Sequence, residues 1–264
     1  MIEISTDDRL QLFRVEQFPS TLPHAVFGRS GGVGLPPFDS LNLSSSVPDD
    51  PAAVTENRRR AYGTFGRTTE TLVHAHLVHG NGVARVTQGN HGEVIPQIDA
   101  LITDDVGCGL TMNFADCAPI LIYDPVNHAI GLGHAGWAGT VADVPGGMVA
   151  AMVVAFGSDP AELLAAVGPC ISSAVYEVGE NVIEAVNRAF PDEAQTLLIR
   201  QPNRPRPHFD LPRANQINFN KAGVQQVELS GLCTGQRTDL FFSHRAEKGK
   251  TGRFGAVMIL NDRG

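Results

Sequence analysis

Apolar and polar residues alternate along this chain in short runs bounded by glycine and proline, the pattern of a mixed α/β protein. Residues 11–15 and 24–28 read as short strands, as do 71–78 and 82–87 on either side of His79-Gly80-Asn81-Gly82. A further strand falls at 98–103, and the apolar run FGAVMIL forms another at 254–260. APILIYD (118–124) and HAIGLG (128–133) flank Asp124-Pro125-Val126-Asn127, a turn sequence, and predict a hairpin. The run 163–167 is too short for periodicity to decide between helix and strand.

Helical spacing covers four stretches. PAAVTENRRRAYGTFG (51–66) follows Asp50, a capping residue, and carries Pro51 in its first turn. A second helix is expected over 146–156, on the reasoning that Pro145 bars an earlier start. Residues 181–190 are helical, and 211–224 form a helix ending at Gly223. Two stretches resist both periods. Residues 28–50 are rich in Gly, Pro and Ser and form a loop of a length that is usually functional or disordered. Residues 192–208 read as a surface excursion. No shift of composition marks a boundary, so residues 1–264 are expected to form a single domain.

The chain's 264 residues, 42% hydrophobic and 18% charged, support a sizeable core and exclude an intrinsically disordered chain. A net charge of −8 without a basic patch speaks against a nucleic-acid partner. No apolar run reaches membrane-spanning length and no signal peptide is evident, so no membrane partner and a cytoplasmic location are expected. The four cysteines are not expected to form a disulfide framework.

Chemistry enters at the predicted hairpin. If Asp124 and Asn127 close its turn, Cys117 falls directly opposite His134. His79, at a strand end before a glycine, can be brought to the same place by its loop. One Cys and two His make a sound zinc set, and three ligands drawn from distant segments describe a catalytic site with an open fourth position. The same residues also admit a metal-free Cys–His nucleophile, or plain packing. His74 and His76 share a strand face with each other but not with His79 if the strand runs straight. Gly131-Leu132-Gly133-His134-Ala135-Gly136 matches the dinucleotide fingerprint in letters, but Pro145 curtails the helix that fingerprint needs.

A series of motifs, in order, extends over nearly the whole chain: FGRSGGVGLPPFDSLNL, DDPAAVTENRRR, VHGN (78–81), DALIT (99–103), ADCAPILIYDP (115–125), GHAGWAGT (133–140), GPCISSAVYEVG (168–179), FDLPRANQ (209–216), LCT (232–234) and FFSHR (241–245). In these the sequence resembles the YfiH/laccase-domain family of purine nucleoside phosphorylases, earlier described as multicopper polyphenol oxidases. The resemblance implies a layered sandwich of mixed sheets flanked by helices, an α/β fold related to cytotoxic-necrotising-factor-like toxins. It implies zinc, with copper a weaker possibility, held by His79, Cys117 and His134, which would also be the catalytic residues.

The implied reaction is phosphorolysis of adenosine, inosine, guanosine or methylthioadenosine, with an adenosine deaminase side activity. The implied partners are a small-molecule nucleoside and phosphate, and the protein would be a monomer or a homodimer. Arg29, Asn42, His244 and Arg245 are candidates for substrate binding, with Arg253 a further cation for phosphate. Asp99, Asp116, Glu177 and His244 are candidates for the proton donor, although Asp116 should point to the other strand face. The chain departs from the family pattern at Leu77, where Gln is usual, at Ala138, where Arg is usual, and at His244, where Tyr is frequent. Three other readings stay open: a copper polyphenol oxidase, a metal-free Cys/His hydrolase editing cell-wall dipeptide precursors, and an inactive binding module. With nine histidines and one His-x-His pair, His74-Ala75-His76, the chain is poor in ligands for several copper sites.

Overall fold

The computed structural model describes residues 1–5, 10–200, 202 and 204–262, so positions 201 and 203 of the expected surface excursion lie outside the described residues. The strands are β1 (Ile2–Ser5), β2 (Gln11–Arg14), β3 (His24–Phe27), β4 (Val73–Ala75), β5 (Val83–Arg85), β6 (Val94–Ile95), β7 (Ala100–Thr103), β8 (Gly109–Phe114), β9 (Ala118–Asp124), β10 (Ala129–Ala135), β11 (Leu164–Val167), β12 (Leu198–Ile199), β13 (His208–Phe209), β14 (Gln226–Leu229) and β15 (Phe254–Ile259). The α-helices are α1 (Pro51–Gly63), α2 (Trp137–Val141), α3 (Val144–Phe156), α4 (Glu180–Ala189), α5 (Ala194–Leu197) and α6 (Leu211–Lys221).

Two mixed sheets stack face to face. One runs β1-β2-β3-β15-β8-β4-β6 and the other β14-β11-β9-β10-β7-β5. Between them lies a core of Phe13, Val26, Leu110, Met112, Phe114 and Met258 from the first sheet against Leu101, Leu121, Ile130 and Leu132 from the second. The far face of the second sheet, through Ile120, Ile122 and Val167, packs on Val144, Met148 and Met152 of α3 and Phe219 of α6. The far face of the first packs Phe27, Val257 and Ile259 on Ala61 and Tyr62 of α1. The order of layers is therefore helix, sheet, sheet, helix. Strands β9 and β10 are buried on both faces, which is why they read as unbroken apolar runs rather than as alternating ones. Among the described residues no helix is long and apolar enough to cross a membrane.

Several expectations are corrected. Helix α3 starts at Val144, with Pro145 inside its first turn, where the ring costs no hydrogen bond; Asp143 caps it in a left-handed conformation and accepts from Gly146 N. The ambiguous 163–167 run is a strand. The strand expected over 71–78 is only three residues long, because the chain leaves the sheet after Ala75. As expected, the loop 28–50 contains neither helix nor strand.

The hairpin register also differs. Asp124 pairs with Ala129, so four residues make the turn. Asp124 Oδ1 accepts from the backbone of Val126 and Asn127, its Oδ2 accepts from the Asn127 amide, and His128 takes a positive φ of 56°. These contacts favour the longer turn over the two-residue one. His134 consequently faces Pro119, and continuing the register sets Cys117 opposite Gly136. Displacement by two positions keeps a side chain on its face, so Cys117 and His134 remain diagonal neighbours.

Candidate functional site

The three candidate ligands sit where the chain turns corners. His79 lies on the passage from β4 in the first sheet to β5 in the second, and Cys117 on the passage from β8 to β9, again from first sheet to second. His134 is on β10, one residue before its end. Both corners need a residue of positive φ: His79 at 59° and Asp116 at 82°. Aspartate tolerates this region better than most residues. Here Asp116 is also held by its side chain, whose Oδ1 accepts from Thr234 and Ser243 hydroxyls at 2.7 Å each and whose Oδ2 accepts from Arg245 N at 2.7 Å.

One nitrogen from each of the histidines and the Cys117 sulfur all lie within 4.8 Å of one another; among the described residues this is the one group of three or more His, Cys, Asp or Glu so arranged. His79 and His134 meet edge to face at 5.1 Å, and Phe114 stacks beneath His134 at 5.4 Å. Gly136 is required beside the thiol, since a Cβ there would come within 2.8 Å of Cys117 Sγ. His74 and His76 line the neighbouring cavity but do not join the group.

Asp99 organises two of the ligands. It is fully buried; Oδ1 accepts from His79 N at 2.9 Å and Oδ2 from Gly80 N at 2.7 Å. His134 Nδ1, buried and without a hydrogen-bond partner, lies 3.6 Å from Asp99 Oδ1. Burial tends to raise the Asp99 carboxyl, but the adjacent His134 imidazole and the backbone N–H bonds from Gly80 and His79 outweigh it and hold it below its ordinary value. Burial likewise pushes the Cys117 thiol up, and the charge and hydrogen bond of His134, with a further hydrogen bond from His79, bring it down to about 6. His134 is raised to about 9, its burial overcome by Cys117 and Asp99. The result is a carboxylate behind an imidazole beside a thiolate. One thiolate and two imidazoles suit a borderline-soft divalent ion, with His134 oriented by a carboxylate as metal-bound histidines commonly are. His79 is exposed, so the group opens to solvent on that side.

The group opens on a cavity of about 680 Å³. Trp137, Tyr176 and Leu77 give it apolar surface, and Arg58, Arg245 and Arg253 give it positive charge. Of the sequence candidates for substrate and phosphate, His244, Arg245 and Arg253 line it. Arg245 donates to the Glu177 carbonyl at 2.8 Å and lies 5.0 Å over the Tyr176 ring. Arg29 and Asn42 are not among the lining residues. Arg29 is committed to Glu247, the Thr238 carbonyl and the Asp39 carbonyl. Asn42 is fully buried and orders its loop, accepting from Ser44 N and Arg253 N and donating to the Ser44 carbonyl and Asp49. Ala138 lies outside the lining as well, whereas Leu77 is part of it. Sequence reasoning passed over Arg58, whose signal was the helix that follows directly on the long loop, and Asp99 as an orienting group, whose signal was its place just before a buried strand.

Residues 23–261 match the family model described as multi-copper polyphenol oxidoreductase laccase. The chain belongs to this laccase-like family. Its relatives include the purine nucleoside phosphorylase YlmD of Bacillus subtilis (strain 168), 37% identical over 234 residues, covering 85% of this chain and 84% of the relative. A purine nucleoside phosphorylase of Deinococcus radiodurans is 37% identical over 239 residues, covering 90% and 89%. Among solved structures, the Bacillus licheniformis hypothetical protein YfiH superposes with a TM-score of 0.90 at 30% identity, covering 96% of both chains. YlmD from Geobacillus stearothermophilus superposes with a TM-score of 0.86 at 32% identity, covering 92% and 93%. The α/β layered sandwich is thus that of the laccase-like family.

Proposed function

We propose that this laccase-like protein is a zinc-dependent purine nucleoside phosphorylase acting on adenosine, inosine, guanosine or methylthioadenosine. The observation that carries the reading is the His79–Cys117–His134 donor set opening on a cavity of small-molecule size lined by both aromatic and cationic side chains. The names of the curated relatives support it. Held by these three residues, zinc would supply a Lewis acid. Trp137 and Tyr176 offer flat surfaces for a purine, and the cavity arginines hold and orient phosphate. A phosphate oxygen bonds to the anomeric carbon of the ribose, the bond from that carbon to the purine nitrogen breaks, and the departing nitrogen takes a proton.

Of the four proton-donor candidates, Asp99 is engaged with His79, Gly80 and His134, and Asp116 already accepts three hydrogen bonds. Glu177 does not line the cavity, and His244 does. We assign the proton transfer to His244. An adenosine deaminase side activity belongs to the same centre: water replaces the exocyclic amine and ammonia leaves.

A second reading has an observation in its favour. Asp99, His134 and Cys117 form a carboxylate–imidazole–thiolate series, the arrangement of a metal-free cysteine hydrolase. The deciding experiment is chromatography of adenosine and inosine incubated with zinc-loaded and zinc-stripped protein, with and without phosphate. Free base and ribose-1-phosphate appearing only with both zinc and phosphate are expected. Turnover that survives zinc removal, needs no phosphate and is abolished by alkylating Cys117 would overturn the phosphorylase in favour of the hydrolase.

A further inference from the structure

The three guanidinium groups of the cavity have no ion-pair partner. Among the described residues no carboxylate lies within 4.0 Å of the side-chain nitrogens of Arg58, Arg245 or Arg253. The one carboxylate among the lining residues, Asp116, already accepts three hydrogen bonds. In a protein of net charge −8, such a concentration of positive charge in one cavity calls for an anionic ligand.

Two of the three arginines are built into one wall. Arg58 Nε donates to the Leu43 carbonyl at 2.8 Å, Leu43 N donates to the Arg253 carbonyl at 3.0 Å, and Arg253 N donates to Asn42 Oδ1 at 2.9 Å. The same Asn42 oxygen accepts from Ser44 N at 3.1 Å. Arg253 Nη1 donates to the Thr251 and Gly252 carbonyls. These bonds fix both side chains by one edge. The remaining guanidinium N–H groups, both terminal nitrogens of Arg58 and the Nε and Nη2 of Arg253, have no hydrogen-bond partner among the described residues. Ser44 and Ser46 hydroxyls, 2.8 Å apart, share one proton between them and leave the other free to donate. The buried Asn42 therefore has a role distinct from substrate contact: it positions the segment that carries the donors.

We propose that Arg58, Arg253 and the Ser44–Ser46 segment form a subsite for a tetrahedral oxyanion, with inorganic phosphate as its occupant. The occupant rests on the phosphorylase reading; the subsite does not. His74 adds selectivity. Burial and the nearby Arg58 charge hold its imidazole down to about 4, so it is neutral. One ring nitrogen is bonded to the Thr69 backbone, and Nε2 is buried without a partner. A neutral imidazole that donates through Nδ1 leaves Nε2 as an acceptor. That acceptor fits the hydroxyl of hydrogenphosphate, which sulfate lacks.

The test is phosphate binding followed by calorimetry on the zinc-loaded protein, alongside steady-state kinetics. Arg58→Gln and Arg253→Gln should each weaken phosphate binding by about ten- to a hundred-fold, the range of one lost charge-assisted hydrogen bond. The exposed Arg188→Gln, which removes equal charge elsewhere, should leave it unchanged. The same two variants should raise the KM for phosphate at least about ten-fold and that for nucleoside less than about two-fold. Sulfate should bind at least about ten-fold more weakly than phosphate, a margin that His74→Ala removes.

Should Arg58→Gln fail to fold, Arg58→Lys and Arg253→Gln carry the test, with zinc content and circular dichroism as the folding checks. Unchanged phosphate binding in the folded variants overturns the subsite, even where phosphorolysis persists. Arginine-dependent phosphate binding without turnover of any nucleoside upholds the subsite and removes the phosphorylase reading. Arginine-dependent binding of adenosine 5′-monophosphate with no binding of inorganic phosphate overturns the proposed occupant.

Discussion

Asp99→Asn separates an orienting role from a passive one. Asp99 takes two backbone N–H bonds, from His79 on one oxygen and from Gly80 on the other, at 2.9 and 2.7 Å. An amide side chain keeps one acceptor, so in either orientation its NH₂ faces one of these N–H donors. One buried donor is orphaned, and the charge assistance to His134 is lost, at a combined cost of about 2–3 kcal/mol. Removing such a support from a metal ligand typically weakens metal binding about 10–100-fold, or about 1.4–2.7 kcal/mol. The assay is zinc affinity by chelator competition, with thermal melts of the metal-free protein.

A zinc affinity within about two-fold of wild type would refute the claim that Asp99 sets the ligand geometry. The pH dependence gives a second check. The Asp99 carboxyl lies below its ordinary value of 3.8, so its stabilising contribution is present above about pH 4. It is lost as pH falls through the lower folded value. The acid limb of the wild-type stability curve should therefore be steeper than that of Asp99→Asn.

Three further outcomes are expected. Cys117→Ala or His134→Ala removes both zinc and turnover, by metal analysis and the nucleoside assay; turnover retained without zinc would defeat the metal mechanism. Gly136→Ala forces a methyl within 2.8 Å of Cys117 Sγ and should weaken zinc binding about ten-fold or more while leaving circular dichroism unchanged. In metal-free protein, iodoacetamide labelling of Cys117, read by peptide mass spectrometry, should rise with a midpoint near pH 6, whereas Cys108, pushed up to about 11 by burial, resists; a Cys117 midpoint above about 8 would contradict the influence of His134.

The site was more legible in the sequence than the register that builds it. Asp124-Pro125-Val126-Asn127 announced a turn, but the two extra loop residues, Asn127 and His128 (the latter at positive φ), carry no signal that distinguishes a four-residue from a two-residue connection. The error was harmless because it moved the partner by two positions and so preserved the face. A shift by one would have put Cys117 and His134 on opposite sides of the sheet. Pro145 misled in the other direction: proline is barred from helix interiors, yet the same fixed φ suits a first turn, and only the Asp143 cap shows which applies. Strand β8, GLTMNF, was missed because it is buried on both faces and interrupted by polar residues that tertiary contacts accommodate. Thr111, for instance, bonds the Tyr62 hydroxyl at 3.4 Å.

The departures from the family pattern weigh differently once the cavity is drawn. Leu77 forms part of its lining, so there an apolar side chain replaces an amide directly on the ligand-facing surface. Ala138 does not line the cavity; it is the second residue of α2, behind Trp137. Alanine at 138 contributes no charge to the cavity, while Arg58, Arg245 and Arg253 line it without ion-pair partners. Anion binding depends on donors that face the ligand and are not already neutralised. On the proposed subsite, the arginines that bear on phosphate are Arg58 and Arg253, held by the Leu43 carbonyl and by the buried Asn42.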